Sequence, residues 1–283
     1  MSAEVRPRRG SRPGRPLSVA GHGPRKRFGQ HFLADRSVLE AIVSAIRPLR
    51  GEHVIEVGPG LAALTGPLLD HLERLHVVEI DRDLCARLRR RWPAERLILL
   101  EGDALSVDLA PVLGVPGQLE PIRIVGNLPY NISTPLLVRL LQIRDRVLDQ
   151  HFLLQKEVVD RVVAAPGRAD YGRLSVLLQA FYQVEKLFDV PPTAFDPPPR
   201  VDSALLRMTV REAPLTEATD ALQQVLAAAF SQRRKMLRTT LLPWLEARGV
   251  QPAGIDGTMR AEEVDVPTYC ALADALRSIS SIL

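Results

Sequence analysis

The sequence predicts an α/β fold: a doubly wound, mostly parallel seven-stranded sheet followed by a small all-helical C-terminal domain. Three observations predict it. From about residue 53, short apolar runs alternate with helix-length segments, as expected for parallel strands joined by right-handed crossovers. The first run opens into the turn Gly58-Pro59-Gly60, whose glycines let backbone approach a ligand at the carboxyl end of a strand. Beyond Glu212-Ala213-Pro214 the alternation stops and only helical patterns remain. The expected divisions are a basic, disordered arm over 1–24, a ligand-binding sheet domain over 25–212, and a helical domain over 213–283.

In chain order, the arm ends near Pro24. Asp35 is placed as the N-cap of a helix reaching about Ile46, because Val38, Leu39, Ile42, Val43 and Ile46 recur at helical spacing. His53–Val57, Leu75–Ile80, Leu97–Leu100, Ile122–Val125 and His151–Leu154 read as buried strands. Helices are expected between them near 62–72, 83–92, 135–144 and 156–165. Two further strands, at about 180–189 and 203–210, complete the sheet as an antiparallel pair. The Pro-rich stretch 191–199 that joins them is long for such a connection, so its rigidity is expected to serve a purpose. The C-terminal helices are placed at roughly 217–230, 231–247 and 267–281.

Composition narrows the function classes. At 46% hydrophobic and 25% charged, the 283-residue chain matches an ordinary soluble globular protein. No apolar run approaches the roughly 18 residues of a membrane helix, so no membrane partner is expected. The two cysteines, Cys85 and Cys270, are far apart, and the histidines show no ligand spacing. A reducing, cytoplasmic setting is therefore expected, without a disulfide framework or a metal. The charge is asymmetric. Arg6, Arg8, Arg9, Arg12, Arg15, Arg25, Lys26 and Arg27 stand against Glu4 alone in residues 1–27, a net +7, which leaves −3 for the rest of a +4 chain. A basic arm on a nearly neutral body points to a polyanion, nucleic acid first, although a solvated tail or a transit peptide has similar composition. A second basic cluster, Arg233-Arg234-Lys235 with Arg238, falls in the helical domain.

A cofactor site is expected along Val54-Ile55-Glu56-Val57-Gly58-Pro59-Gly60-Leu61-Ala62-Ala63. Glu79, at the end of the next strand, can accept hydrogen bonds from both ribose hydroxyls of an adenosine. Because Gly58, Gly60 and Ala63 satisfy GxGxxG/A, a dinucleotide remains open on this segment alone. Three features favour S-adenosylmethionine. Glu56 would repel a pyrophosphate but help to orient a cation. Pro59 removes an N–H that a phosphate cradle would use. Asp103, in Glu101-Gly102-Asp103-Ala104, can accept from the adenine amino group.

The most informative four residues are Asn127-Leu128-Pro129-Tyr130, directly after the apolar run Ile122–Gly126. An Asx-Pro turn ending a strand would use the same residue types for conformational reasons. In this context they suit an exocyclic amine on a flat base. The Asn127 oxygen and a backbone carbonyl of Leu128 or Pro129 accept the two N–H groups, and the Tyr130 ring stacks on the base.

The ordered motifs resemble one family, the small-subunit (16S) ribosomal RNA adenine-N6,N6-dimethyltransferases. The matching stretches are Arg27-Phe28-Gly29-Gln30-His31-Phe32-Leu33, Glu56-Val57-Gly58-Pro59-Gly60, Val78-Glu79-Ile80-Asp81, Gly102-Asp103-Ala104 and Gly126–Ser133. They continue through Leu154-Gln155-Lys156-Glu157-Val158, Tyr171–Ser175, Val190-Pro191-Pro192 and Val201-Asp202-Ser203. The resemblance runs from about Arg25 to the C-terminus and implies a Rossmann-like, class I S-adenosylmethionine-dependent methyltransferase fold. It implies cofactor-binding positions at His31, Leu33, Gly58, Glu79, Asp103 and Asn127, and a catalytic set of Asn127, Leu128, Pro129, Tyr130 and Phe195. Phe195 is expected to face the target base opposite Tyr130, held there by the Pro-rich linker. His31 departs from the family, which usually carries Asn there. The implied partners are a precursor of the small ribosomal subunit and its 16S-type RNA, met by a monomer. Large-subunit RNA and DNA are rival substrates, which the length of the helical domain and the Phe195 segment disfavour.

Overall fold

The computed structural model describes residues 31–109, 112, 121–232, 234–252 and 254–280. The arm over 1–24, the Arg27–Gln30 part of the first motif, and Arg233 lie outside the described residues.

The chain enters through a two-residue strand β1 (Phe32–Leu33) and the helix α1 (Arg36–Ile46). Asp35 caps α1 as expected, its carboxylate accepting from the N–H groups of Ser37 (2.8 Å) and Val38 (3.3 Å). Ile42, Val43 and Ile46 form the buried stripe of the helix. Two strand–helix units and a further strand follow: β2 (Val54–Val57) with α2 (Thr65–His71), β3 (Leu75–Glu79) with α3 (Arg82–Arg91), then β4 (Leu97–Glu101). The second half runs through β5 (Ile122–Asn127), α4 (Ser133–Leu140), β6 (Val147–Gln155), α5 (Lys156–Val163), α6 (Arg173–Gln179) and β7 (Tyr182–Val190). It closes with β8 (Phe195–Asp196), β9 (Ser203–Val210), α7 (Thr219–Ala229), α8 (Leu241–Glu246) and α9 (Val266–Ser280).

The seven-stranded sheet has the order β4-β3-β2-β5-β6-β9-β7, and only β9 runs against its neighbours. The winding direction reverses between β2 and β5. At such a switch point the crossovers leave in opposite directions, and a crevice opens at the carboxyl ends of the strands. Gly126 lets β2 and β5 approach there, since a Cβ on it would lie 2.4 Å from the carbonyl oxygen of Val57.

At the other end of β5, Arg123 ties the sheet to α1. Its guanidinium donates to both oxygens of Asp149 (2.9 and 2.8 Å), to Glu52 (3.0 Å) and to the carbonyl of Ile46 (2.7 Å). This buried group holds β5, β6 and the last turn of α1 together.

Three features differ from the sequence expectation. The segment 231–247 is not one helix; it is a turn, a 3-10 turn over Leu237–Thr239 and the six-residue α8. Pro243 is tolerated in the first turn of α8, but a helix continued upstream would drive its ring into the carbonyl of Thr239. Secondly, β1 and β8 form their own antiparallel ribbon, pairing Leu33 with Phe195, and α6 lies where no helix was expected. Thirdly, the C-terminal helices do not own a separate core. Leu222, Leu226, Tyr269 and Leu272 belong to one continuous apolar cluster with Phe152, Leu154, Val159 and Phe181. Backbone bonds cross the seam, among them Leu215 N–H to the Ala180 carbonyl (2.9 Å), and the Tyr171 hydroxyl donates to the Val264 carbonyl (3.0 Å). Among the described residues, no helix is long and apolar enough to cross a membrane.

Candidate active site

A cavity of about 220 Å³ opens at the switch point, and its walls come from β1, the turn after β2, and the ends of β3, β4 and β5. Of the expected site residues, His31, Leu33, Gly58, Glu79, Asp103, Asn127, Leu128, Pro129 and Tyr130 all line it. Strand ends place them there, because loops at the carboxyl edge of a parallel sheet converge on the crevice.

The turn at Gly58 and Gly60 requires glycine at both positions, with φ of +68° and +56°. A Cβ on Gly60 would also press to 3.2 Å from the ring of Phe32. Glu79 locks this turn to the end of β3, one oxygen accepting from Gly60 N–H (3.2 Å) and the other from Asp81 N–H (2.9 Å). Asp103 accepts from Leu105 N–H (2.9 Å), which fixes the turn after β4.

Glu56 is 2% exposed, and the Thr65 hydroxyl donates to it at 2.7 Å. Burial, with the Glu79 carboxylate adding to it and the Thr65 bond opposing, pushes its pKa up to about 8. Burial raises Glu79 as well. Two cavity-wall carboxyls that resist ionisation when the site holds no cation suit a positively charged ligand, which would favour their charged forms. The donor set therefore fits S-adenosylmethionine: an acidic wall, a turn with positive φ at both glycines, and carboxylates at the end of β3 and just after β4. The raised Glu56 also yields a prediction. A carboxyl raised on folding contributes stability that is complete below its unfolded pKa, near 4.5, and is lost as pH rises through about 8. Without cofactor, stability to urea should thus fall over that window with a slope of up to about 1.4 kcal/mol per pH unit from this group. Glu56→Gln, which keeps the Thr65 bond, should flatten it; an unchanged slope would place the ionisation elsewhere.

At the end of β5, Asn127 lines the cavity, and its side-chain N–H donates to the carbonyl of His31 at 3.0 Å, which leaves the amide oxygen as the group that can accept from a ligand. The Pro129 carbonyl already accepts from Ile132 N–H and the Ser133 hydroxyl, both at 3.1 Å, so that of Leu128 is the one left for a ligand. The Tyr130 hydroxyl shares a 2.8 Å bond with that of Ser203, and the His31 ring stacks on Tyr130 with centroids 5.5 Å apart.

Phe195 departs from expectation. Its ring is 4% exposed, packs in the cluster of Leu33, Ile42 and Leu205, and forms no part of the cavity wall. The β1–β8 ribbon draws it inward by pairing it with Leu33. Conversely, sequence reasoning missed His151, a wall residue 2% exposed whose Nδ1 lies 3.5 Å from an Asp149 oxygen and whose Nε2 has no hydrogen-bond partner among the described residues. No local signal marks it, because its position depends on the pairing of β6 with β5. Among the described residues no cluster of three or more His, Cys, Asp or Glu could hold a metal.

A Rossmann-like sheet with this turn, acidic wall and Asn-Leu-Pro-Tyr mouth defines an S-adenosylmethionine-dependent methyltransferase. The model of the ribosomal RNA adenine dimethylase family matches residues 21–278. A ribosomal RNA small subunit methyltransferase A from Bordetella pertussis is 58% identical over 260 residues, covering 91% of this chain and 96% of its own. One from Thiobacillus denitrificans is 55% identical over 253 residues, covering 89% and 97%. Among solved structures, a dimethyladenosine transferase from Plasmodium falciparum shares the fold, with a TM-score of 0.71, 24% identity, and coverage of 88% of this chain and 98% of its own. The 23S rRNA methyltransferase ErmE superposes with a TM-score of 0.65 at 25% identity, covering 87% and 99%. The chain belongs to the ribosomal RNA adenine dimethylase family. It is an S-adenosylmethionine-dependent rRNA adenine dimethyltransferase.

Proposed function

We propose that the chain acts on small-subunit RNA, dimethylating the N6 amines of two adjacent adenosines in a loop near the 3′ end, during maturation of the small subunit. The observation that carries the chemistry is the cavity-lining Asn127 amide, whose N–H is held by the His31 carbonyl so that its oxygen is left to accept. The similarity to small subunit methyltransferases A supports the choice of substrate. The partner is a small-subunit precursor, and the protein works as a monomer in the cytoplasm.

In this reading, Leu33, Gly58, Glu79, Asp103 and Asn127 hold the cofactor, with His31 contributing its main chain. Bound there, S-adenosylmethionine supplies an electrophilic methyl group on a cationic sulfur. Extruding an adenosine from its RNA costs a few kcal/mol, less from a loop than from a duplex. Stacking on Tyr130 returns about 1–3 kcal/mol of that. The Asn127 oxygen and the Leu128 carbonyl accept the two amine hydrogens and so fix the direction of the nitrogen lone pair. Orientation supplies most of the rate, with no covalent enzyme intermediate. Phe195 serves as the core anchor of the β1–β8 ribbon. The exposed cations Arg234, Lys235 and Arg238 contact RNA phosphates.

The test is transfer of labelled methyl to small-subunit particles lacking the modification, with large-subunit particles and DNA alongside, followed by nucleoside analysis. N6,N6-dimethyladenosine in small-subunit RNA alone is the expected result. Equal labelling of large-subunit RNA would overturn the assignment.

A further inference from the structure

The Tyr130 side chain is held at both ends, and we propose that His31 and Ser203 are positioning residues for it, the His31 ring serving the target-base platform and not the cofactor. The proposal rests on the reading that Tyr130 stacks on the target adenine.

The imidazole of His31 lies against the Tyr130 ring at 5.5 Å between centroids and 28° between planes. It cannot turn freely, because its Nδ1 bonds the carbonyl of Pro197 in the Pro-rich linker at 2.9 Å. A carbonyl only accepts, so Nδ1 carries a proton. The main chain of the same residue has a second task, its carbonyl accepting from the Asn127 amide at 3.0 Å. One residue thus orients both the group that holds the amine and the ring that holds the base. At the far end of Tyr130, the hydroxyl bonds that of Ser203, which is fully buried at the start of β9. The ring is fixed before a base arrives, so little rotamer entropy remains to be lost on stacking. An Asn at position 31 could offer the same carbonyl but no ring. The His31 ring thus forms a second aromatic layer behind Tyr130.

The experiment uses the full chain with His31→Ala, His31→Phe, Ser203→Ala and Tyr130→Phe, plus Ser203→Ala combined with Tyr130→Phe. Three quantities are read: kcat and KM for undermethylated small-subunit particles, S-adenosylmethionine affinity by calorimetry, and NMR signals of ring-labelled tyrosine. The chain has four tyrosines, so Tyr130→Phe assigns the relevant signal. His31→Ala should lower kcat by about tenfold, since a slightly misplaced platform costs rate steeply. It should leave cofactor affinity unchanged and speed the flipping of the Tyr130 ring, and His31→Phe, which keeps the stacked ring but loses the Pro197 bond, should recover part of both the rate and the ring restraint. Ser203→Ala should lower kcat alone but add nothing to Tyr130→Phe, which has already lost the hydroxyl. Weakened cofactor binding by His31→Ala, with kcat at saturating cofactor and the Tyr130 signal unchanged, would make His31 a cofactor ligand and overturn the proposal. So would an additive loss from Ser203→Ala in the Tyr130→Phe background. A wild-type chain that methylates no particle would defeat the functional reading, while the ring signals would still decide whether the two residues restrain Tyr130.

Discussion

Asn127→Ala should lower methyl transfer by roughly a hundred- to a thousandfold, the loss typical of removing one aligned polar group from a reacting centre. Affinity for small-subunit RNA should stay close to that of the wild type, because the proposed grip on RNA comes from stacking and from phosphate contacts elsewhere. The amide N–H anchors to the His31 carbonyl at 3.0 Å, and its oxygen is the proposed acceptor for the amine. Alanine removes both, and the amine loses its direction without losing its seat. Single-turnover transfer and filter binding on the same particles separate the two effects. A parallel fall in both would move Asn127 from the chemistry to RNA binding.

Arg123→Met should cost about 3–5 kcal/mol of folding stability at pH 7, as expected when one partner of a buried ion pair is removed. Methionine fills much the same volume but leaves Asp149 uncompensated and the Ile46 carbonyl without its 2.7 Å donor. Burial alone would raise the Asp149 carboxyl, but contacts with His151 and Arg123 outweigh it and hold it below the usual carboxylate range. A depressed carboxyl contributes stability that is present above its unfolded pKa and lost as pH falls through the folded one. The wild type should therefore tolerate acid until Asp149 protonates, and the variant should unfold at higher pH. Urea titrations across the acid range test both statements. A loss below about 1 kcal/mol would rank the network with surface ion pairs.

The strands were legible because strands of a parallel sheet covered on both faces are near-continuous apolar runs, as in Val54–Val57 and Ile122–Val125, each broken by a single charged residue. Gly58, Glu79, Asp103 and Asn127 could be placed together for the same reason: each ends a strand or follows it within two residues, and strand ends converge. Whatever depended on register stayed hidden. Gln155 pairs with Ser203, and Asn127 with Leu153, so the Tyr130–Ser203 bond and the burial of His151 follow from alignments that no local pattern encodes. Phe195 shows the same limit. Its linker was visible, but not the two-residue ribbon that turns its ring inward, since two residues carry no periodicity. The segment 231–247 was misread because helical spacing was weighed without the position of Pro243.

The apolar seam between the sheet and the C-terminal helices constrains how this protein can change its substrate. Because Leu222, Leu226 and Tyr269 pack in the same cluster as Phe152 and Phe181, the terminal helices are not a cassette that recombination could exchange intact. A new helical region would expose the flank of α5 and α6 unless its inner face were recut to the same relief. On the proposed RNA-contacting role of these helices, a change of RNA preference is expected to come from substitution on their outer faces, since their inner faces are tied to the sheet.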